Sequence, residues 1–123
     1  MTLVIDVENL PRRCAALRVS GEIDAYTAPK FREQMDEAES REPAGLVVDL
    51  QKVRYLDSTG LGVIMGAAKR ARERGCSLVV ICTNEHILRI LKISGLTELI
   101  IVAANQEEAV NALEEGQGCE GDE

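Results

Sequence analysis

The residues that could do chemistry concentrate in Asp57-Ser58-Thr59-Gly60-Leu61-Gly62, where a carboxylate and two hydroxyls precede a pair of glycines. Several chemistries can be weighed for that order of residue types. A nucleophilic serine needs a base and a strained elbow, but Ser58 lacks the G-x-S-x-G frame, and the sole histidine, His86, falls on a different predicted helix. A phosphate-cradling loop needs glycines before the helix. Gly60-Leu61-Gly62 begins like G-x-G-x-x-G, but the next glycine, Gly66, comes one residue late, and Lys69 follows no Walker loop. An aspartyl-phosphate receiver would use Asp49, yet Leu50 follows it where a loop is required. The last chemistry makes Ser58 an acceptor of a phosphoryl group delivered by another protein. A phosphate at a helix N-terminus meets unpaired amides and the positive dipole end, and adds about −1.5 to −2 charges to the surface. A plainer reading stands beside it, in which Asp57 only caps a helix and Ser58 and Thr59 only fill its first turn.

The elements that must position these residues can be read from periodicity. Leu3 to Glu8 alternates with strand period, placing Leu3, Ile5 and Val7 on one face. Asn9 to Arg12 forms a turn, and Cys14 to Ser20 forms a second strand paired antiparallel with the first. Thr27 is placed to cap a helix running to about Ser40, with Ala28, Phe31, Met35 and Ala38 inward and Glu33, Gln34, Asp36, Glu37 and Glu39 in solvent. Gly45 to Leu50 is an apolar, β-branched strand that stays extended to Leu56. The helix beginning at Ser58 directs Leu61, Ile64, Met65, Ala68 and Ala71 inward and ends at Gly75. Ser77 to Cys82 is a strand, and Asn84 caps a helix over Glu85 to Ile93 with Ile87, Ile90 and Leu91 inward. A short strand over Leu99 to Val102 and a helix from Asn105 or Gln106, burying Ala109, Val110 and Leu113, complete the order. Strands alternating with helices predict an α/β fold of parallel βαβ units with an antiparallel edge pair. Function in such folds gathers beyond the strand carboxyl ends. The Asp24 loop, the Asp57 turn and the Thr83-Asn84 turn are therefore expected to be neighbours.

Composition narrows the function classes. The 123 residues suit one domain, with 46% hydrophobic and 28% charged residues, only Tyr26, Tyr55 and Phe31 as aromatics, and no Trp. A net charge of −7 opposes binding to nucleic acid or an anionic membrane and favours a basic protein surface as partner. Cys14, Cys76, Cys82 and Cys119 form no CxxC pair, which argues against a metal site or a disulfide framework. Cys14, Cys76 and Cys82 read as small core residues of a protein in a reducing cytosol. No signal peptide and no apolar run long enough to span a bilayer is apparent. No cofactor is implied. Residues 116–123 have nothing to bury and are expected to form a disordered acidic tail after a single domain over residues 1–115.

Three segments in order, Ser20-Gly21-Glu22-Ile23-Asp24, Asp57-Ser58-Thr59-Gly60-Leu61-Gly62-Val63-Ile64 and Ser94-Gly95-Leu96, carry a resemblance. Together they resemble the STAS family, in particular bacterial anti-sigma factor antagonists, over about residues 2–114. The second segment is the specific one. The resemblance implies a STAS-like mixed sheet of about five strands with about four helices. It also implies a cytoplasmic, non-enzymatic partner-switching protein, a monomer or weak dimer when free. In that family the unphosphorylated form binds an anti-sigma factor, which is also a serine kinase of the GHKL type, and so frees a sigma factor. Phosphorylation of the serine ends the complex, and a PP2C-type phosphatase restores it. Carried over position by position, Ser58 becomes the phosphoacceptor and Thr59 a weaker second candidate. Asp24, Asp57, Thr59, Gly60, Leu61 and Gly62 become partner contacts, with Ser94, Gly95 and Leu96 as a rim. Two other readings remain: a STAS regulatory subunit of another signalling assembly, and a small nucleotide-binding protein, which tight ATP or GTP binding without a partner would reveal.

Overall fold

The computed structural model describes residues 3–116. Its elements are β1 (Val4–Leu10), β2 (Cys14–Ile23), α1 (Ala28–Ser40), β3 (Gly45–Leu56), α2 (Ser58–Arg74), β4 (Ser77–Ile81), α3 (Glu85–Ile93), a 3₁₀ turn (Leu96–Glu98), β5 (Ile101–Ala103) and α4 (Gln106–Gly116). The five strands form one sheet in sequential order, with β1 antiparallel to β2 and the remaining pairs parallel. The expected mixed sheet with four helices is therefore present. Gly116 closes α4, one residue beyond the expected domain end, and the rest of the expected tail, Cys119 included, lies outside the described residues.

Helices α1, α2 and α3 bury their apolar stripes with one face of the sheet, in a core that includes Leu17, Ile23, Phe31, Met35, Leu50, Leu56, Ile64, Ile87 and Leu91. A smaller cluster of Ala16, Val47, Val79, Ile81, Ala103 and Ala109 lies beneath α4. The strand β3 is buried through its first six residues, as its β-branched composition predicts. Several inward assignments shift. Val7 is 47% exposed because β1 is an edge strand. On α2 the buried stripe is Gly60, Val63, Ile64, Ala67, Ala68 and Ala71, while Leu61 and Met65 are only partly buried at its margin. Ile90, Val110 and Leu113 are likewise half-buried. Glu39, assigned to solvent, pairs with Arg70 across the α1–α2 contact at 2.6 Å, and its side chain is only 9% exposed.

The far half of β3 departs from simple alternation. Two register shifts against β2 (Arg18↔Asp49 then Ser20↔Lys52, and Gly21↔Val53 then Glu22↔Tyr55) each place an extra residue in β3. Such bulges re-aim the following side chains. Here they bring Leu50, Val53 and Leu56, three residues apart, to the same core. Asp49 holds the first bulge: its carboxylate accepts from the Gln51 amide at 3.0 Å and from Arg18 at 3.0 Å, and Arg18 also pairs with Glu8. A lone buried carboxylate is costly unless paired, and this ion pair meets that need.

Candidate functional site

Two strand ends and one helix start build the site around Ser58. β2 and β3 pair through Ile23↔Leu56, and the Asp57 amide donates to the Ile23 carbonyl at 3.1 Å. Asp57 is extended, with φ −106° and ψ −172°, the conformation of an N-cap. Its carboxylate accepts from the Thr59 amide at 2.9 Å and the Gly60 amide at 3.3 Å, and from the Thr59 hydroxyl. The Thr59 hydroxyl bond, helped by the amides of Gly60, Thr59 and, from the adjoining loop, Ala25, holds the Asp57 carboxyl below its ordinary value of 3.8, against an opposing contribution from burial. Asp57 therefore stays ionised and occupies two of the amides that a helix N-terminus leaves unpaired.

This changes the expected fate of a phosphate here. The Thr59 and Gly60 amides already bind Asp57, so added negative charge at Ser58 faces a carboxylate as well as the helix dipole. The two hydroxyls also differ in their surroundings. Thr59 is exposed but its hydroxyl is bonded to Asp57. Ser58 is exposed and its hydroxyl has no hydrogen-bond partner among the described residues.

The Asp24 loop does meet the Asp57 turn, through the Ile23 carbonyl that accepts from the Asp57 amide. Asp24 itself is half-buried, and its Oδ1 accepts from the Tyr26 amide at 2.9 Å and the Thr27 amide at 3.0 Å. Thr27 does not cap α1, contrary to expectation. Its backbone is already helical, and its hydroxyl turns back to donate to Glu22 O at 2.8 Å and accept from the Asp24 amide at 3.0 Å. Among the described residues, no hydrogen bond joins the Thr83-Asn84 turn to this cluster. β4 ends at Ile81, opposite Asp49, whereas β3 runs seven residues further to Leu56, roughly 20 Å of strand. Asn84 does cap α3, accepting from the amides of His86 and Ile87.

The two motif glycines have different causes. A Cβ on Gly60 would collide with Ile23 Cγ2 and lie 2.7 Å from Leu56 Cδ1, so the first turn of α2 sits directly on the two strand ends. Gly60 is buried, and the close approach it permits is internal. Gly62 is exposed with nothing within 4 Å of an added Cβ, so no internal contact requires a glycine there. Leu61 is half-buried beside them. In the third segment Leu96 is fully buried in the main core, whereas Ser94 and Gly95 are half-buried. Gly95 has φ 84°, the left-handed conformation that favours glycine. Reading the motif alone missed Ile23 and Leu56, which seat Gly60; the apolar residues closing both strands were the available signal.

The STAS domain model matches residues 5–109. The chain belongs to the STAS family. It is 39% identical over 100 residues to the anti-sigma-B factor antagonist of Listeria monocytogenes, an alignment covering 81% of this chain and 88% of the relative. It is 36% identical over 115 residues to the anti-sigma F factor antagonist of Paenibacillus polymyxa, covering 93% and 97%. Among solved structures, an anti-sigma factor antagonist from Mycobacterium paratuberculosis superposes with a TM-score of 0.79 at 25% identity, covering 92% of this chain and 95% of that one. Among the described residues, no helix is long and apolar enough to cross a membrane, and no group of three or more His, Cys, Asp or Glu side chains could hold a metal ion.

Proposed function

We propose that this STAS protein is an anti-sigma factor antagonist switched by phosphorylation of Ser58. The unphosphorylated chain binds an anti-sigma factor in the cytoplasm, and that binding frees a sigma factor. The same anti-sigma factor is a serine kinase of the GHKL type that phosphorylates Ser58, and a PP2C-type phosphatase reverses the modification. The chain is thus a substrate and a binding partner, with no catalytic step of its own. Residues 1–115 form the STAS domain in this reading.

The observation that carries this reading is the contrast at the start of α2. Ser58 offers an exposed hydroxyl with no hydrogen-bond partner among the described residues, while the adjacent Thr59 hydroxyl is held by Asp57. The only histidine, His86, stands in the first turn of a different helix, α3, and among the described residues no hydrogen bond joins its side chain to Ser58. Asp24, Asp57, Thr59, Leu61 and Gly62 surround Ser58 as the docking face, with Gly60 as the internal seat of that face and Ser94 and Gly95 as a rim. A phosphoryl group adds about −1.5 to −2 charges beside Asp57, whose carboxylate already holds the local amides. The new charge stays at the surface, where a docked partner meets it.

Incubation with its kinase and ATP, followed by mapping of the phosphate, tests the assignment. The expected result is a single phosphate on Ser58, absent from Ser58→Ala and still mapped to Ser58 in Thr59→Ala. Equal phosphorylation of Ser58→Ala would refute it.

A further inference from the structure

We propose that Tyr26 is the aromatic anchor by which this chain grips a cationic side chain, arginine or lysine, of its anti-sigma factor. The proposal rests on the reading of the Ser58 surface as the antagonist's docking face. Tyr26 is 91% exposed, more than any other large apolar side chain among the described residues. Its backbone is nevertheless pinned. Its amide donates to Asp24 Oδ1 at 2.9 Å, the Thr27 amide donates to the Asp24 carbonyl at 3.1 Å, the Ala28 amide to the same carbonyl at 2.7 Å, and the Thr27 hydroxyl to Glu22 O at 2.8 Å. An aromatic ring held in solvent on a fixed turn has no fold-level reason to be aromatic, because it packs against no core. Pre-organised, exposed tyrosines are typical binding hot spots, since docking them orders little further backbone.

The surroundings define what the ring receives. The Asp57 amide donates to the Ile23 carbonyl, three residues before Tyr26, so the strand that leads into the ring's turn meets the Ser58 site. Asp24 and Asp57 supply carboxylates on either side of that junction, and Glu22 lies on the strand leading into it. A second exposed aromatic, Tyr55, stands on β3 directly across from Glu22. Carboxylates around a free π face suit a guanidinium or ammonium group, which the ring quadrupole also attracts. The chain's own cation in the first turn of α1, Lys30, is committed to the Leu3 carbonyl at 2.8 Å. The net charge of −7 favours a basic partner in the same sense.

The test titrates variants against the kinase that phosphorylates Ser58, with thermal melting as the control for folding. Tyr26→Phe keeps the π face and should bind within about twofold of wild type. Tyr26→Ala and Tyr26→Leu should each bind about tenfold more weakly at unchanged melting temperature. Tyr26→Ala binding like wild type would overturn the anchor while leaving the Ser58 switch intact. Tyr26→Leu binding like wild type would overturn the cationic partner, since leucine retains apolar area without the ring. If wild type binds no such kinase, the docking face itself is wrong and the anchor falls with it.

Discussion

Replacing Gly60 with alanine isolates the contact that joins the motif to the fold. In an open helix the change is favourable by about 1 kcal/mol, because alanine loses less backbone entropy. At Gly60 the added methyl meets Ile23 Cγ2 and Leu56 Cδ1, the latter at 2.7 Å, with Ile23 Cβ at 3.1 Å. Ile23 is fully buried and Leu56 is 2% exposed, so neither can swing into solvent. Ile23 is also β-branched, and its offending methyl is attached next to the backbone, which leaves the helix itself to move. Overpacking of this kind costs about 1–3 kcal/mol, and a rigid neighbour puts the cost in the upper part of that range. Net of propensity, Gly60→Ala should destabilise by about 1–2 kcal/mol, or roughly 3–10 °C in melting temperature for a domain of this size. Gly62→Ala, with open space at its Cβ, should stabilise by about 0.5–1 kcal/mol. Urea and thermal unfolding of the pair gives the comparison. If Gly60→Ala raises the melting temperature as much as Gly62→Ala does, the packing account of Gly60 is wrong.

Three further outcomes follow from the same geometry. Asp57→Ala should cost about 1 kcal/mol through loss of the α2 cap, and Asp57→Asn less, measured by denaturant unfolding at neutral pH. Because the folded Asp57 carboxyl titrates below its ordinary value of 3.8, its contribution is present above that value and is lost as pH falls through the lowered one. The stability gap between wild type and Asp57→Ala should accordingly close in strong acid, and a gap unchanged from pH 6 to pH 2 would contradict this. Arg18→Met should destabilise by about 1–3 kcal/mol by leaving Asp49 buried without its cation, a cost reduced from that of a fully buried pair by the partial exposure of Arg18. Asp49→Asn in the same chain should recover part of that loss, and strict additivity in the double-mutant cycle would show that the pair is not coupled.

Much of this molecule is legible in its residue order. The alternation of strands and helices, the apolar run from Leu46 to Val48, the cap at Asp57 and the stop at Gly75 are local signals, and all four appear in the structure. What stayed hidden depends on pairing between distant segments. The bulges in β3 follow from its register against β2, and they decide that Val53 and Leu56 share a core with Leu50. Gly60 looked like a gap for a partner, because nothing in the motif announces that Ile23, thirty-seven residues earlier, fills it. Thr27 has the composition of a cap, yet the nearby Glu22 carbonyl competes for its hydroxyl and wins. β3 runs on beyond its pairing with β4, and strand lengths are poorly encoded by local pattern. The candidate site is contiguous in the sequence, whereas the bond that holds the Thr59 hydroxyl and leaves that of Ser58 exposed depends on the orientation of one carboxylate.

The central claim is that charge on Ser58 decides whether the docking face is available. The direct measurement is the affinity of the Ser58-phosphorylated chain and the unmodified chain for the same anti-sigma factor, at fixed ionic strength. The expected result is binding at least tenfold weaker for the phosphorylated chain, a difference of about 1.4 kcal/mol, with both forms equally folded. Equal affinities for the two forms would contradict the account.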